Sequence, residues 1–514
     1  MGRADPFTGY SILVRVIVYG VVPLFGVWQF LRLKRALHVF QLEGYKRARF
    51  LEWCAANRER ALFLGKATAK KPLVMTGRAT RILTVATALS MLLVLGLSGV
   101  AHLAGGAPFD LITWVVVTVL VFVGAPVVLV LADVVLTPAQ GVINGTFLRR
   151  ARAMLAEVSP LVVGVTGSFG KTSTKFAIEA LIGPAGSALA TPGSFNTPLG
   201  VCRTINENLD SSHGFFIVEM GAYKEGEIAE LCRFVRPSIG VLTAIGPAHL
   251  ERFGSMDAIR RGKYEIVTSL PDEGTAVMNV DNLDIRKLAD ETRRVTVVRY
   301  GLDEAGAPDI TCRNVRVSSS GTAFEIVDTR DGRAVDVTTR LLGKHSVGHI
   351  LAGAAVALLA GRALADLRAP IANLQPVEHR LQLIQGTGGI TVIDDAFNSN
   401  PEGAAAALDV LAAMPGGKKV VVTPGIIELG PLQAEANEDF GARAAEVADA
   451  VIVVARINRD AILAGARRAG AGRSGGADVI AVGSLDEATA RLRSLIGPGD
   501  VVLFENDLPD QYEN

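Results

Sequence analysis

Apolar positions follow two regimes along the chain. Before residue 150 they form three long runs, Ser11–Leu31, Ile82–Ala104 and Leu111–Leu136. The second run holds no Asp, Glu, Lys or Arg, and the third carries only Asp133. At about 1.5 Å per helical residue such runs reach about 31–39 Å, enough to cross a hydrocarbon core of about 30 Å. No amphipathic face relieves the second run, as a helix lying at the surface of a soluble protein would require. Three transmembrane helices are therefore predicted, near residues 11–31, 82–104 and 111–136, in a membrane module of residues 1–150.

Beyond Leu161 the pattern shortens. Apolar, β-branched runs alternate with Ala-rich stretches: Leu161–Val165, Phe215–Glu219, Gly240–Ala244, Ile390–Asp394, Lys419–Thr423, Ala450–Val454, Asp478–Val482 and Val501–Phe504. Short strands separated by helices predict an α/β fold with parallel sheets covered on both faces. Asp309–Leu342 alternates with period two and carries turn signals, which predicts an antiparallel insert. A new unit begins near Pro376, giving a central domain over residues 155–375 and a Rossmann-like domain over 376–514.

Charge sharpens this division. The chain is close to neutral, yet residues 1–150 carry a net +11 and the remainder a net −10. An acidic folded part argues against nucleic acid as a partner. Thirteen Lys/Arg and three Asp/Glu fall between Arg32 and Arg81. The positive-inside rule then puts that loop and residues 150–514 in the cytoplasm, in a multi-pass protein of the cell (inner) membrane. The same loop can rest on anionic membrane lipid or be a solvated linker. The four cysteines are scattered, without the spacing of a disulfide framework or a zinc site.

One segment carries chemistry by itself. The strand Leu161–Val165 runs into Thr166-Gly167-Ser168-Phe169-Gly170-Lys171-Thr172-Ser173 and then a helical stretch. Glycines let backbone N–H groups approach phosphate oxygens, the lysine adds a point charge, and the hydroxyl after it can ligate Mg²⁺. Val165 stands where the usual pattern has its first glycine, but the strand–loop–helix context still points to nucleotide binding.

This variant resembles the ATP loop of the Mur ligases, enzymes that join amino acids or dipeptides to the cell-wall muramyl peptide. Further segments resemble the family in order: Asn196-Thr197-Pro198-Leu199-Gly200, Val218-Glu219-Met220-Gly221-Ala222, Ile245–Ser255 with Lys263-Tyr264-Glu265-Ile266, Glu378-His379-Arg380, and Asp394–Pro401. The branch adding D-alanyl-D-alanine is the nearest in pattern. The resemblance implies ATP and two Mg²⁺ ions. It makes Lys171 the phosphate clamp and Asn196 a contact of the γ-phosphate or acyl group. Thr172, Glu219, His249 and Lys263 become metal-side residues, with Lys263 carrying a carbamate. Arg380 would pair with the ATP phosphates, Asp395 would bond the ribose, and Asn398 and Asn400 would shape that pocket. Read without the family, His249 is as well a structural histidine, Lys263 an ion-paired surface lysine, Glu219 a strand-end charge, and the Asn and Asp residues turn formers.

Three departures remain. A membrane module takes the place of the family's UDP-binding domain, so the carboxylate acceptor is expected to be lipid-linked or polymeric. Ser346 and His349 stand where many members have two asparagines. Thr423–Gly430 and Glu505–Asp510 differ from standard dipeptide-adding members, which leaves the amine, an amino acid or a dipeptide, open. A polyglutamate-type polymer ligase and a membrane P-loop ATPase without ligase activity are the alternatives.

Overall fold

In a computed structural model, residues 7–61, 72–105, 109–184, 186–318, 320–397, 399–454, 456–470 and 476–507 are described. The chain divides into two compact units, Met1–Thr146 and Phe147–Asn514.

The first unit is helical: α1 Phe7–Leu42, α2 Arg47–Ala56, α3 Arg58–Ala61, α4 Gly77–Gly105, α5 Phe109–Val123 and α6 Ala125–Val158. Among the described residues two segments, Gly77–Ala101 and Ala125–Val158, are long and apolar enough to cross a membrane. The expected first span, Ser11–Leu31, lies in α1, and its side chains as far as Pro23 fall outside the described residues, so two of the three expected spans can be compared. The run Leu111–Leu136 is not one helix but two, broken at Gly124, and its first half, Ile112–Val123, is a short apolar helix. Pro126 explains the break, because it has no N–H for the carbonyl of Phe122 four residues earlier. That freed carbonyl accepts from Arg32 Nε at 3.3 Å, and Gln29 Nε2 donates to the neighbouring Val121 carbonyl at 3.3 Å. Asp133, the only acid of the run, is buried between two arginines, Arg47 at 2.7 Å and Arg78 at 3.0 Å. Outward-facing Leu92, Leu95, Leu103 and Leu120 remain exposed, as an apolar solvent would favour.

The second unit contains two sheets. The first is formed by β1 Leu161–Thr166, β2 Ala188–Ala190, β3 Phe215–Glu219, β4 Ile239–Leu242, β5 Thr275–Asn279, β6 Thr296–Tyr300, β7 Ile310–Ser318, β8 Gly321–Asp328 and β9 Arg333–Thr339, in the order β2-β3-β1-β4-β5-β6-β7-β8-β9. Pairing is parallel from β2 to β7 and antiparallel through β7-β8-β9, the predicted insert. Successive side chains serve opposite faces. Val163, Val165 and Ile217 pack with the helix Lys344–Leu359, while Val162, Phe216 and Val218 pack with the helix Met256–Thr268.

The second sheet is formed by β10 Gln382–Gln385, β11 Thr391–Asp395, β12 Lys419–Thr423, β13 Ala450–Val454, β14 Asp478–Val482 and β15 Val501–Glu505, ordered β10-β11-β15-β12-β13-β14. Only β10 pairs antiparallel. The chain passes between the sheets through residues 373–381. In each sheet the C-terminal ends of the parallel strands carry the candidate chemistry, as open α/β sheets favour.

Ile350 is fully buried in the helix that covers the first sheet. Ile350→Ala should cost about 2–5 kcal/mol and lower the thermal midpoint of the catalytic unit. An unchanged midpoint in scanning fluorimetry would contradict this packing.

Candidate active site

The loop between β1 and the helix Lys171–Ile182 is shaped by sterics. Gly167 (φ 156°) and Gly170 (φ 78°) both lie in the region that favours glycine. A Cβ on Gly167 would stand 2.0 Å from Thr243 Oγ1, and one on Gly170 would stand 2.8 Å from His349 Cε1. Side chains then pin the loop to the end of β4. Ser168 Oγ donates to the Gly246 carbonyl at 2.9 Å and accepts from its N–H at 3.0 Å. Thr243 Oγ1 donates to Phe169 O at 2.6 Å, and Thr166 Oγ1 donates to Met220 O at 2.8 Å. Thr166 and Ser168 are thus loop-shaping residues, while Phe169, Gly170 and Ser173 line the adjoining cavity.

The predicted clamp, Lys171, turns back on its own loop, donating to Gly167 O at 2.7 Å and Ser168 O at 3.1 Å. Burial pushes its ammonium down to about 8 against the pull of Glu219, and Arg380 adds to the depression. Glu219 ends β3 with both oxygens engaged. Oε2 accepts from Thr172 Oγ1 at 3.0 Å and Lys175 Nζ at 3.3 Å, and Oε1 accepts from Asn196 Nδ2 at 3.1 Å. Asn196 is therefore directed at the carboxylate.

The predicted metal set is only partly assembled. Thr172 and Glu219 meet, but His249 Nδ1 is bonded to Glu428, which also takes Arg252 at 2.6 Å. Lys263, 2% exposed, donates only to Ala222 O, at 3.3 Å. No group of three or more His, Cys, Asp or Glu converges on a point among the described residues. Burial lowers the His249 pKa, and Lys171 and Lys263 lower it further against Glu428. Burial, then Lys171, holds Lys263 well below the ordinary lysine range.

A cavity of about 380 Å³ extends from the phosphate loop between the two sheets. Arg380, Asp395 and Asn400 line it, as do Ser346 and His349, which the sequence had set at the places of two family asparagines, together with His345 and Glu402, whose lining role sequence reasoning missed. Arg380 lies over the Phe397 ring at 4.7 Å. Its pKa is lowered by burial and pulled back by Glu219 and Asp395. Asp395 Oδ1 accepts from the Leu381 N–H at 3.0 Å, and Asp395 is the register partner of Glu505, whose burial and proximity to Asp395 push its carboxyl well above the usual carboxylate range. Asn400 also caps the helix Pro401–Ala413 through Gly403 N–H at 3.0 Å. Asn398, and Leu508, Pro509 and Asp510, lie outside the described residues. Ser346 Oγ is spent on the Leu342 carbonyl at 2.7 Å, and His349 Nδ1 meets Thr174 Oγ1 at 3.0 Å. Burial brings His345 down to about 4 and His349 to about 3, so the cavity wall is neutral imidazole.

A phosphate loop with a hydroxyl–carboxylate pair at its helix start, faced by an arginine from a second α/β domain, has the make-up of an anion-binding cleft between two domains. Residues 165–357 match the Mur ligase middle domain, and residues 379–505 match the Mur ligase, glutamate ligase domain. The UDP-N-acetylmuramoyl-tripeptide–D-alanyl-D-alanine ligase of Escherichia coli (strain K12) is 36% identical over 274 residues, 53% of this chain and 60% of that protein. Its counterpart in Mycobacterium tuberculosis (strain ATCC 25618 / H37Rv) is 34% identical over 360 residues, 67% of this chain and 70% of that protein. Among solved structures, MurF from Acinetobacter baumannii gives a TM-score of 0.63 at 26% identity, covering 71% of this chain and 78% of that one. MurF ligase from Thermotoga maritima, in complex with ADP, gives 0.61 at 27% identity, covering 71% and 80%. The chain belongs to the Mur ligase family. It spans 60% of the length of the E. coli relative, and both family matches lie in the second unit.

Lys171→Ala should lower ADP release by roughly 10²–10³, the scale for deleting one preorganised electrostatic group. Normal release from this variant would place the phosphate chemistry elsewhere.

Glu402 gives a pH signature. Burial raises its carboxyl from 4.5 to about 7. The folded chain then holds a proton that the unfolded chain has released, so stability falls as pH rises through that window. Glu402→Gln should remove this contribution, so the melting difference between variant and wild type should grow from pH 5 to pH 8. A pH-independent difference would refute it.

Proposed function

We propose that this protein is a membrane-anchored ligase that activates a carboxylate as an acyl phosphate and joins it to the amine of an amino acid or dipeptide, in the synthesis of cell-wall peptide. The observation that carries this reading is the pairing of Thr172 and Glu219 at the phosphate loop with Arg380 reaching in from the second domain. A plain ATPase would leave the buried Lys263 without a task.

The chemistry follows from charge. The acceptor carboxylate oxygen forms a bond to the γ-phosphorus of ATP as the bond to the bridging oxygen breaks, giving acyl phosphate and ADP. The amine nitrogen then attacks the acyl carbon, phosphate leaves, and the amine loses a proton. Loop N–H groups, Lys171 released from its own carbonyls, and Arg380 would take the charge spreading over the phosphoryl oxygens. Mg²⁺, when bound, neutralises part of the phosphate charge. The residues fit such an ion: a buried hydroxyl and carboxylate meet at Thr172 and Glu219.

Lys263 fits a carbamate for a separate reason. It is enclosed, has no carboxylate partner among the described residues, and burial and Lys171 favour its neutral amine. A neutral amine is the form that adds CO₂, and the carbamate would replace a repelling cation with an anion beside the metal. Intact-mass measurement in bicarbonate should show the added carboxyl. Full activity of Lys263→Ala would refute this role.

The first unit supports a lipid-linked or polymeric acceptor. Two apolar helices with exposed leucines precede the ligase unit. Holding enzyme and acceptor on one membrane raises their effective concentration. Leu148 and Ala151, at the end of α6, pack into the ligase core, so a fair truncation begins at Phe147. In an amine-by-acceptor screen read by ADP release, full-length protein in lipid should prefer polyprenyl-linked or polymeric acceptors, and the truncation should ligate poorly. Equal rates on soluble UDP-linked muramyl peptide would show that the helices only localise the enzyme.

A further inference from the structure

Lys175 stands one turn beyond Lys171 and is fully buried. Its ammonium donates to the Gly193 carbonyl and, at 3.3 Å, to Glu219 Oε2. Gly193 lies within residues 191–197, a strap between β2 and the helix Pro198–Asn208. The strap is tied at three points. Thr191 Oγ1 accepts from the Glu219 N–H at 3.1 Å, Asn196 Nδ2 donates to Glu219 Oε1 at 3.1 Å, and Lys175 holds the middle. The Asn196 carbonyl also accepts from the Gly221 N–H at 3.0 Å, an approach so close that a Cβ on Gly221 would stand 2.7 Å from the Asn196 side chain. Gly193 and Ser194 then wall a second cavity, of about 570 Å³, with Thr172, Arg380 and Phe397.

Packing does not explain a lysine here. Burying an ammonium costs desolvation, and an apolar side chain of similar volume commonly serves stability as well or better. What an apolar side chain cannot supply is a charged donor reaching both the strap and Glu219.

We propose that Lys175 is a positioning residue of the ligation site: it fixes Glu219 and the strap 191–197 as one piece, so that the wall of the second cavity and the carboxylate beside Thr172 keep a single arrangement. This rests on the ligase reading for its consequence in turnover, but not for its structural consequence. Its charge also opposes that of a metal at Glu219, so its removal acts in opposite directions on metal affinity and on rate.

The test uses full-length Lys175→Met and Lys175→Gln, the second keeping a donor for Gly193 without the charge. Hydrogen exchange of residues 191–197 should rise roughly tenfold, as local opening of a loosened segment allows, while the helix Lys171–Ile182 stays as protected as before. ADP affinity should stay within about twofold of wild type, and Mn²⁺ affinity, read by electron paramagnetic resonance with ADP, should tighten roughly three- to tenfold with the opposing cation gone. With a working amine and acceptor, kcat should fall by about 10–100-fold at an unchanged KM for ATP, the scale for a misplaced reacting group. Unchanged strap exchange would overturn the proposal. So would failure of both variants to fold, or faster exchange throughout the catalytic unit with weaker Mn²⁺ binding, since each makes Lys175 structural. Absence of ADP release from wild type with every acceptor would instead sink the ligase reading and leave the exchange and Mn²⁺ results standing.

Discussion

Glu219 is the single carboxylate around which an excess of positive charge is gathered. Lys175 is bonded to it, Lys171 and Arg380 both feel its charge, and Lys263 in turn feels Lys171. Burial penalises each of these cations, and their nearest partners are local. Lys171 folds onto its own loop carbonyls, His249 bonds to Glu428, and Arg380 rests on the Phe397 ring. Positive charge from both sides of the cavity is thereby concentrated beside one loop, with a single buried carboxylate, Glu219, bonded to Lys175 and Thr172 at its centre.

Much of this was legible in the sequence because it is local. The phosphate loop declares itself through two glycines, a lysine and a hydroxyl within eight residues, and the β7-β8-β9 insert through strict alternation. The edge strand β2 was missed, as were β5, β6 and β10, because each is short and bounded by polar residues that break the apolar run. The third apolar run reads as one continuous helix because hydropathy does not register Pro126, whose effect is a lost donor. Lys175 was invisible for another reason: a lysine within a helix reads as a solvated one, and only the fold brings Gly193 and Glu219 to it. The partner of His249 was hidden in the same way, 179 residues away on Glu428.

The family's chemistry and this chain's departures lie in different places. The phosphate loop and the carboxylate of β3 follow the Mur ligase plan. The segments expected to depart from the family lie elsewhere: Glu505 is buried at the end of β15, Asn506 bonds the Gly425 carbonyl at 2.6 Å, and His349 lines the cavity beside the phosphate loop. A scaffold of this kind can keep one reaction while its borders change the molecules brought to it.

That imidazole bears on how a small molecule could single out this protein. His349 meets the Thr174 hydroxyl through Nδ1. A hydroxyl can donate or accept, so the ring can carry its proton on either nitrogen without losing that contact. Its other nitrogen can therefore face a visiting donor or a visiting acceptor with little penalty. An asparagine amide reaches the same adaptability only by flipping the whole group. A ligand built on one fixed hydrogen-bonding edge would thus gain little discrimination at this wall. Selective inhibitors would have to exploit the breadth and flatness of the imidazole surface, where shape and stacking distinguish it from an amide.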